Sequence, residues 1–369
     1  MVMSNSMPPA SFFTDFMKIA IDLTPLYGRK RTGVEMYAID LYRALLTSGC
    51  QIIPIFHCKN EVDENADAYV IPKRNRLWLE NVSLSMAVRK IRPDIVIFPI
   101  FPPPIDIYYD CKAKVYQTIH DTVFLRYRDT QNFAAKYYHL PKEKLALKKL
   151  DGIITISETV KRQLQQFTHK PIYNLGENIA AEYKEASKIA NVEAIRKWGL
   201  TPDSYYISVS TIEPRKKFDY LLEVILPVLE KQNRKLVLVG RKGWGDNEKL
   251  KQMIVKAGNR LIFTDYVSME ELFSLYRYAY AFALLSKDEG FGRTPFEAVA
   301  CWCKRIILSD IEIFHETFED NALFLPLDSV EECRNILINT ALPLIDDEMS
   351  LPFNILENRI EDFISHLRV

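Results

Sequence analysis

Short apolar segments alternate with helical patterns along the whole chain, and this rhythm constrains the fold more than any other feature. In the first half, strands are expected at 18–22, 52–56, 94–99, 115–119 and 152–156. Helical spacing fills about 34–46, 79–91 and 132–149, the last with a break near Pro141. In the second half, strands are expected at 205–209, 235–240, 261–264, 281–285 and 305–308. Helices follow at 220–230, 269–278, from Thr294 onward, at 329–340 and at 355–367. Strands joined through helices lie parallel and are covered on both faces, which defines an α/β class.

A chain of 369 residues exceeds one compact core. Two doubly wound Rossmann-like domains are therefore expected, residues 1–174 and 175–350. A C-terminal helix over 351–369 can pack back on the first domain. Ligands of open α/β sheets sit beyond the carboxyl ends of the strands. Two facing sheets put the ligand in the cleft between them.

Hydrophobic residues make up 48% of the chain and charged residues 26%, as in ordinary globular proteins. No apolar run approaches the ~18 residues of a bilayer span. Residues 1–14 lack a basic stretch followed by an apolar core, so the cytoplasm is the expected compartment. Cys50, Cys58, Cys111, Cys301, Cys303 and Cys333 are scattered and read as reduced thiols. Cys301 and Cys303 have no further ligands nearby to complete a metal site. Net charge is zero, but residues 1–175 carry 24 basic against 17 acidic side chains and residues 176–369 carry 24 against 31. The basic first half suits an anionic surface or acceptor, or reflects two unrelated solvated surfaces.

The most informative chemistry follows the apolar run 281–285. Asp288 and Glu289 lead into Gly290, Phe291 and Gly292, and Thr294 and Pro295 are expected at the cap and first position of a helix. Free amides and the dipole of a helix start form an anion site. Glu289 and Glu297 flank that site; carboxylates suit sugar hydroxyls better than phosphate. A second strand, 205–209, runs into the basic loop Arg215-Lys216-Lys217.

Glu289-x7-Glu297, with Gly290-Phe291-Gly292 between, resembles the signature of retaining GT-B glycosyltransferases of family 4. Segments 210–217, 238–244, 265–272 and 309–316 are similar to the same family in order and spacing, so 205–326 is covered almost continuously. The first half matches at Thr32-Gly33-Val34 and at His120-Asp121. The resemblance implies a GT-B fold with an acceptor-side first domain and a second domain that binds a nucleotide-diphosphate sugar. Arg215 and Lys216 would meet the leaving diphosphate, together with the backbone from Phe291 through Arg293 to Thr294. Glu297 would hold the ribose and Glu289 the transferred sugar. His120 would contact that sugar or steady developing positive charge. Gly33 and Gly240 would give the backbone close approach, and Val267 would present backbone groups to the base.

The implied reaction transfers a sugar, GDP-mannose before UDP-sugars, to a saccharide or lipid-linked saccharide acceptor of a surface polysaccharide. No D-x-D ends a strand, so neither a metal nor another cofactor is required. A nucleic-acid partner is not expected. Lys136, Tyr137, Tyr138, Lys142, Lys144, Lys148 and Lys149 suit peripheral contact with the inner membrane surface, or an ordinary surface helix. A phosphorylase or epimerase on the same fold, or an inactive partner subunit, are the competing functions. Four residues depart from the family pattern. Thr211 stands where many members carry an arginine, a role that Arg215 would take. Trp302 and Lys304 replace a common Gly and Pro, and Arg293, which adds a ligand contact or faces solvent, replaces an apolar residue.

Overall fold

Strands of Val, Ile, Leu and Phe with no polar alternation can be stable only with both faces covered. The computed structural model describes residues 17–26, 32–57, 68–72, 75–126, 140–241, 248–346 and 349–368. The first sheet contains β1 (Lys18–Asp22), β2 (Gln51–Phe56), β3 (Tyr69–Val70), β4 (Ile95–Phe98), β5 (Lys114–Ile119), β6 (Gly152–Thr155) and β7 (Ile172–Asn174). Its order is β3-β2-β1-β4-β5-β6-β7. The second sheet contains β8 (Tyr205–Val209), β9 (Lys235–Val239), β10 (Leu261–Asp265), β11 (Ala281–Leu284), β12 (Ile306–Ser309) and β13 (Leu323–Leu325), in the order β10-β9-β8-β11-β12-β13. Every pairing is parallel. The strand order reverses between β1 and β4 and again between β8 and β11, which puts a binding crevice at each point.

The short edge strands β3, β7 and β13 carry weak patterns and were not expected from the sequence. Helices Glu248–Ala257 and Glu312–Phe318 were not expected either. The helical stretch near 79–91 starts at Arg76, passes through a π-helical turn at Leu79–Ser83 and continues as Leu84–Ile91. Pro141 breaks nothing in the described helix Leu140–Lys149, where it is the second residue and a first-turn proline loses no hydrogen bond. The expected start of that helix, 132–139, lies outside the described residues.

One expected boundary was wrong. Helix Arg293–Ala300 is capped by Gly292 and not by Thr294. Gly292 has φ 89°, and a Cβ there would come within 2.7 Å of Phe314. This left-handed glycine starts the helix two residues early, so Glu297 falls in its second turn.

One apolar cluster runs across both domains, from Ile19 and Tyr37 through Tyr183 to Phe282, Phe318 and Phe363. Two further clusters cover the outer face of each sheet. Helix Ile355–Leu367 lies on the first domain, with Phe363 ring centroids 5.8 Å from Tyr116 and 5.2 Å from Tyr173. Glu316 of the second domain accepts from the Glu158 and Thr159 amides at 2.8 and 2.6 Å, capping helix Glu158–Gln165 of the first. Among the described residues, no helix is long and apolar enough to cross a membrane.

Gly240 has φ 136°, and a Cβ there would lie 2.2 Å from the Ser210 carbonyl oxygen. Gly258 has φ 52° with nothing within 4 Å. Gly240→Ala is expected to cost about 3 kcal/mol and Gly258→Ala about 1 kcal/mol, read from urea midpoints. Equal losses would show that the contact with Ser210 is unimportant.

Candidate active site

Every candidate residue lies at or just beyond a strand's carboxyl end, or on the helix that follows. β11 leads into Asp288–Gly292, and β5 of the other domain ends at His120. The two meet at Gly290. A Cβ on Gly290 would be 2.0 Å from the His120 carbonyl oxygen and 3.1 Å from Ile156. The Ser157 hydroxyl donates to the Gly290 carbonyl at 2.8 Å and accepts from the Val160 amide at 3.1 Å, so one side chain caps a helix and holds the other domain.

β8 supplies the cations. Pro214–Lys216 forms a 3-10 turn, and Lys217 at φ 43° redirects the chain into helix Phe218–Gln232. Arg215 Nη1 donates to Glu289 at 2.9 Å and to the Asp288 carbonyl at 2.7 Å. Its Nη2 donates to Glu213 at 2.8 Å. Lys216 Nζ reaches Glu289 at 2.5 Å. Lys217 turns away and sits 4.6 Å over the Tyr220 ring. Burial opposes ionisation of Glu289, but Lys216 and Arg215 prevail and hold its carboxyl at about 2. Glu289 is thus a carboxylate clamped between two cations, and these three groups are brought together from two loops 73 residues apart.

His120 Nε2 lies 2.8 Å from the Pro99 carbonyl oxygen, which can only accept. The ring therefore carries its proton on Nε2 and offers Nδ1 as an acceptor. Burial lowers its pKa, so the ring is neutral at neutral pH. Tyr37 holds it edge-on at 4.8 Å. Asp121 is a turn residue whose Oδ1 accepts from the Val123 amide at 3.0 Å.

Phe291 stacks on Phe296 at 5.3 Å, and its side chain serves the core. The first amides of helix Arg293–Ala300, those of Arg293 and Thr294, have no intrahelical acceptor. Glu297 accepts from the Tyr276 hydroxyl at 3.5 Å and from Tyr183, and burial raises its pKa. Arg293 does not face solvent: its Nη1 donates to the Gly33 carbonyl at 3.0 Å and lies 3.3 Å from Glu177.

Gly33 is the first residue of helix Gly33–Leu46, and a Cβ there would be 3.7 Å from Arg293, an ordinary contact. Gly240 and half-buried Val267 stand at the ends of β9 and β10, two and three places along the sheet from β11. Lys136–Tyr138 lie outside the described residues. Trp302 adopts φ 67° where the family commonly has glycine, with Arg277 and Lys304 over its ring at 5.6 and 4.9 Å.

Sequence reading missed several partners. Arg126 pairs with Asp288 across the domains at 3.1 Å. Tyr183, Tyr276 and Glu177 surround Glu297 and Arg293. None sits in a motif, and only folding places them.

Two facing doubly wound domains with paired acids and cations at their carboxyl ends define a GT-B glycosyltransferase fold. The model described as "Glycosyltransferase Family 4" matches residues 31–174, and "Glycosyl transferases group 1" matches 192–335. The chain belongs to this family of glycosyltransferases.

It is 28% identical over 225 residues to the O-antigen chain mannosyltransferase RfbU of Salmonella typhimurium, covering 60% of this chain and 59% of that protein. It is 27% identical over 318 residues to the O-antigen chain mannosyltransferase B of Escherichia coli, covering 79% and 82%. The chain thus spans less than two thirds of the first of these relatives. Among solved structures, it resembles Anabaena Alr3699/HepE in complex with UDP and glucose (TM-score 0.67, 15% identity, 95% and 99% coverage). It also resembles WaaG, a glycosyltransferase involved in lipopolysaccharide biosynthesis (TM-score 0.63, 13% identity, 94% and 99% coverage).

Glu289 is depressed from 4.5 to about 2, so its contribution is present above pH 4.5 and lost as pH falls towards 2. Relative to Glu289→Gln, the wild type should lose about 3 kcal/mol across that window, measured by urea unfolding at each pH. Parallel curves for the two proteins would show that the clamp is not formed.

Proposed function

We propose that the protein is a retaining glycosyltransferase that moves mannose from GDP-mannose to a saccharide or lipid-linked saccharide acceptor in surface polysaccharide synthesis. The observation that carries this is the clamp of Glu289 by Arg215 and Lys216, beside Gly290 where the second domain abuts the His120 carbonyl of the first. When the sugar–phosphate bond breaks, negative charge grows on the diphosphate. Arg215, Lys216 and the amides of Arg293 and Thr294 are fixed positive groups for that charge. In this reading they take the place of a divalent metal, and no cofactor is used.

Glu289 then turns from its cations to the hydroxyls of the transferred sugar, and Glu297 holds the ribose. Neutral His120 accepts a sugar hydroxyl at Nδ1. The departing phosphate takes the acceptor's proton, so transfer proceeds on one face. Val267 and Gly240 border the base. Mannose is favoured by the named activity of both curated relatives, and UDP-sugars are the alternative. A lipid-linked acceptor would bring the basic first domain to the cytoplasmic face of the inner membrane.

Purified protein with GDP-mannose and a mannoside acceptor tests the assignment. Glu297→Ala and Lys216→Ala should each lower transfer about 100-fold or more while circular dichroism stays unchanged. Full activity in both variants overturns the site. Transfer should persist in EDTA, and its loss would overturn the metal-free assignment. Separately, GDP at 100 times its Kd should stabilise the fold by about 2.7 kcal/mol. A larger stabilisation by UDP would reassign the donor.

A further inference from the structure

Arg293 stands where the starts of two helices from different domains meet, Gly33–Leu46 and Arg293–Ala300. Both helix starts carry positive dipole ends, so a cation is unfavourable there unless acids compensate it. Glu177, only 6% exposed at its side chain, lies 3.3 Å from Nη1, and Glu297, 14% exposed, lies 3.9 Å from Nε. The Gly33 carbonyl accepts from Nη1 at 3.0 Å. One guanidinium therefore meets a carbonyl of the first domain and two carboxylates of the second. Its Nε is buried and has no hydrogen-bond partner. At 3.9 Å, Glu297 is just too far to accept from it. Leaving such a group unpaired is costly, so a small approach of Glu297 would be favourable.

We propose that Arg293 is a positioning residue for Glu297: its hydrogen bond to the Gly33 carbonyl holds the guanidinium beside Glu297 and keeps that carboxyl aimed at the donor's ribose hydroxyls. The inference rests on the ribose role of Glu297.

Other charged groups also face the cluster. Cys301 follows the last residue of the helix that carries Glu297, and Tyr276 and Tyr183 donate to that carboxyl. Asp40 faces Arg293 and is itself faced by Arg43, Glu357 and Glu182, while Glu35 and Asp121 face His120, which also feels Arg293. Burial raises Glu297 and Arg293 lowers it. Removing Arg293 therefore moves protonation of Glu297 to higher pH, whereas removing Glu177, which competes for the guanidinium, moves it to lower pH.

Calorimetric titration with GDP, and with UDP in parallel, across the acid-to-neutral range reads these shifts. Arg293→Leu should weaken binding about tenfold at neutral pH, with the acid limb displaced upward. Arg293→Lys should restore part of that limb, and Glu177→Gln should displace it downward. In turnover, the KM for the donor should rise in Arg293→Leu with little change in kcat. A lower melting temperature with an unmoved limb would mean a purely structural role and overturns the proposal. If Arg293→Leu does not fold, Glu177→Gln decides alone, and an unmoved limb again overturns it. Glu297→Gln separates the two failures: unchanged binding in that variant sinks the ribose reading itself, whereas weakened binding there with a normal Arg293→Leu sinks only this inference.

Discussion

The absence of a side chain at Gly290 is the constraint on which the rest of the site depends. The His120 carbonyl occupies the space that a Cβ would need, and Ile156 and Ser157 close the same contact. Any larger residue would push the two sheets apart where their carboxyl ends face. Because Gly290 is pinned to β5, the adjacent Glu289 must point back towards β8, where Arg215 and Lys216 receive it. The close approach of the domains and the charge pairing of the site are thus one arrangement.

That arrangement is electrostatically balanced. Buried ions are costly unless paired, and three acids of the site have a partner drawn from elsewhere in the chain. Glu289 has Arg215 and Lys216, Asp288 has Arg126, and Arg293 has Glu177. The Arg126–Asp288 pair and the hydrogen bond from Arg293 to the Gly33 carbonyl join the domains, so the cleft carries matched charges that an anionic ligand would exchange for its own. Glu316 capping helix Glu158–Gln165 adds a further polar tie at the rim.

The buried strands and their order along the chain were legible because apolar runs and turn signals are local. β1 and β8 fall within the expected bounds, and so do helices Met269–Arg277 and Ile355–Leu367. β3, β7 and β13, of two or three residues, are stabilised by their neighbours rather than by their own pattern. The start of helix Arg293–Ala300 was misplaced because Thr294-Pro295 is a strong local signal. A left-handed Gly292 pressed on Phe314 overrides it. Trp302 shows the converse: it holds a glycine-like backbone despite its bulk, with Arg277 and Lys304 over its exposed ring.

The sequence alone determined two parallel sheets, the acids and cations at their strand ends, and the family to which they belong. These depend on residue type and spacing within a few turns of chain, where local propensity and burial suffice. Tertiary structure decided how those groups are used. It clamped Glu289 between Arg215 and Lys216, turned Lys217 away, set the proton of His120 on Nε2 and carried Arg293 across to Gly33 and Glu177. Each outcome depends on which segments, often more than 70 residues apart, are pressed together. Pairing of buried charges over such separations has no local signature, so only the packed chain specifies it.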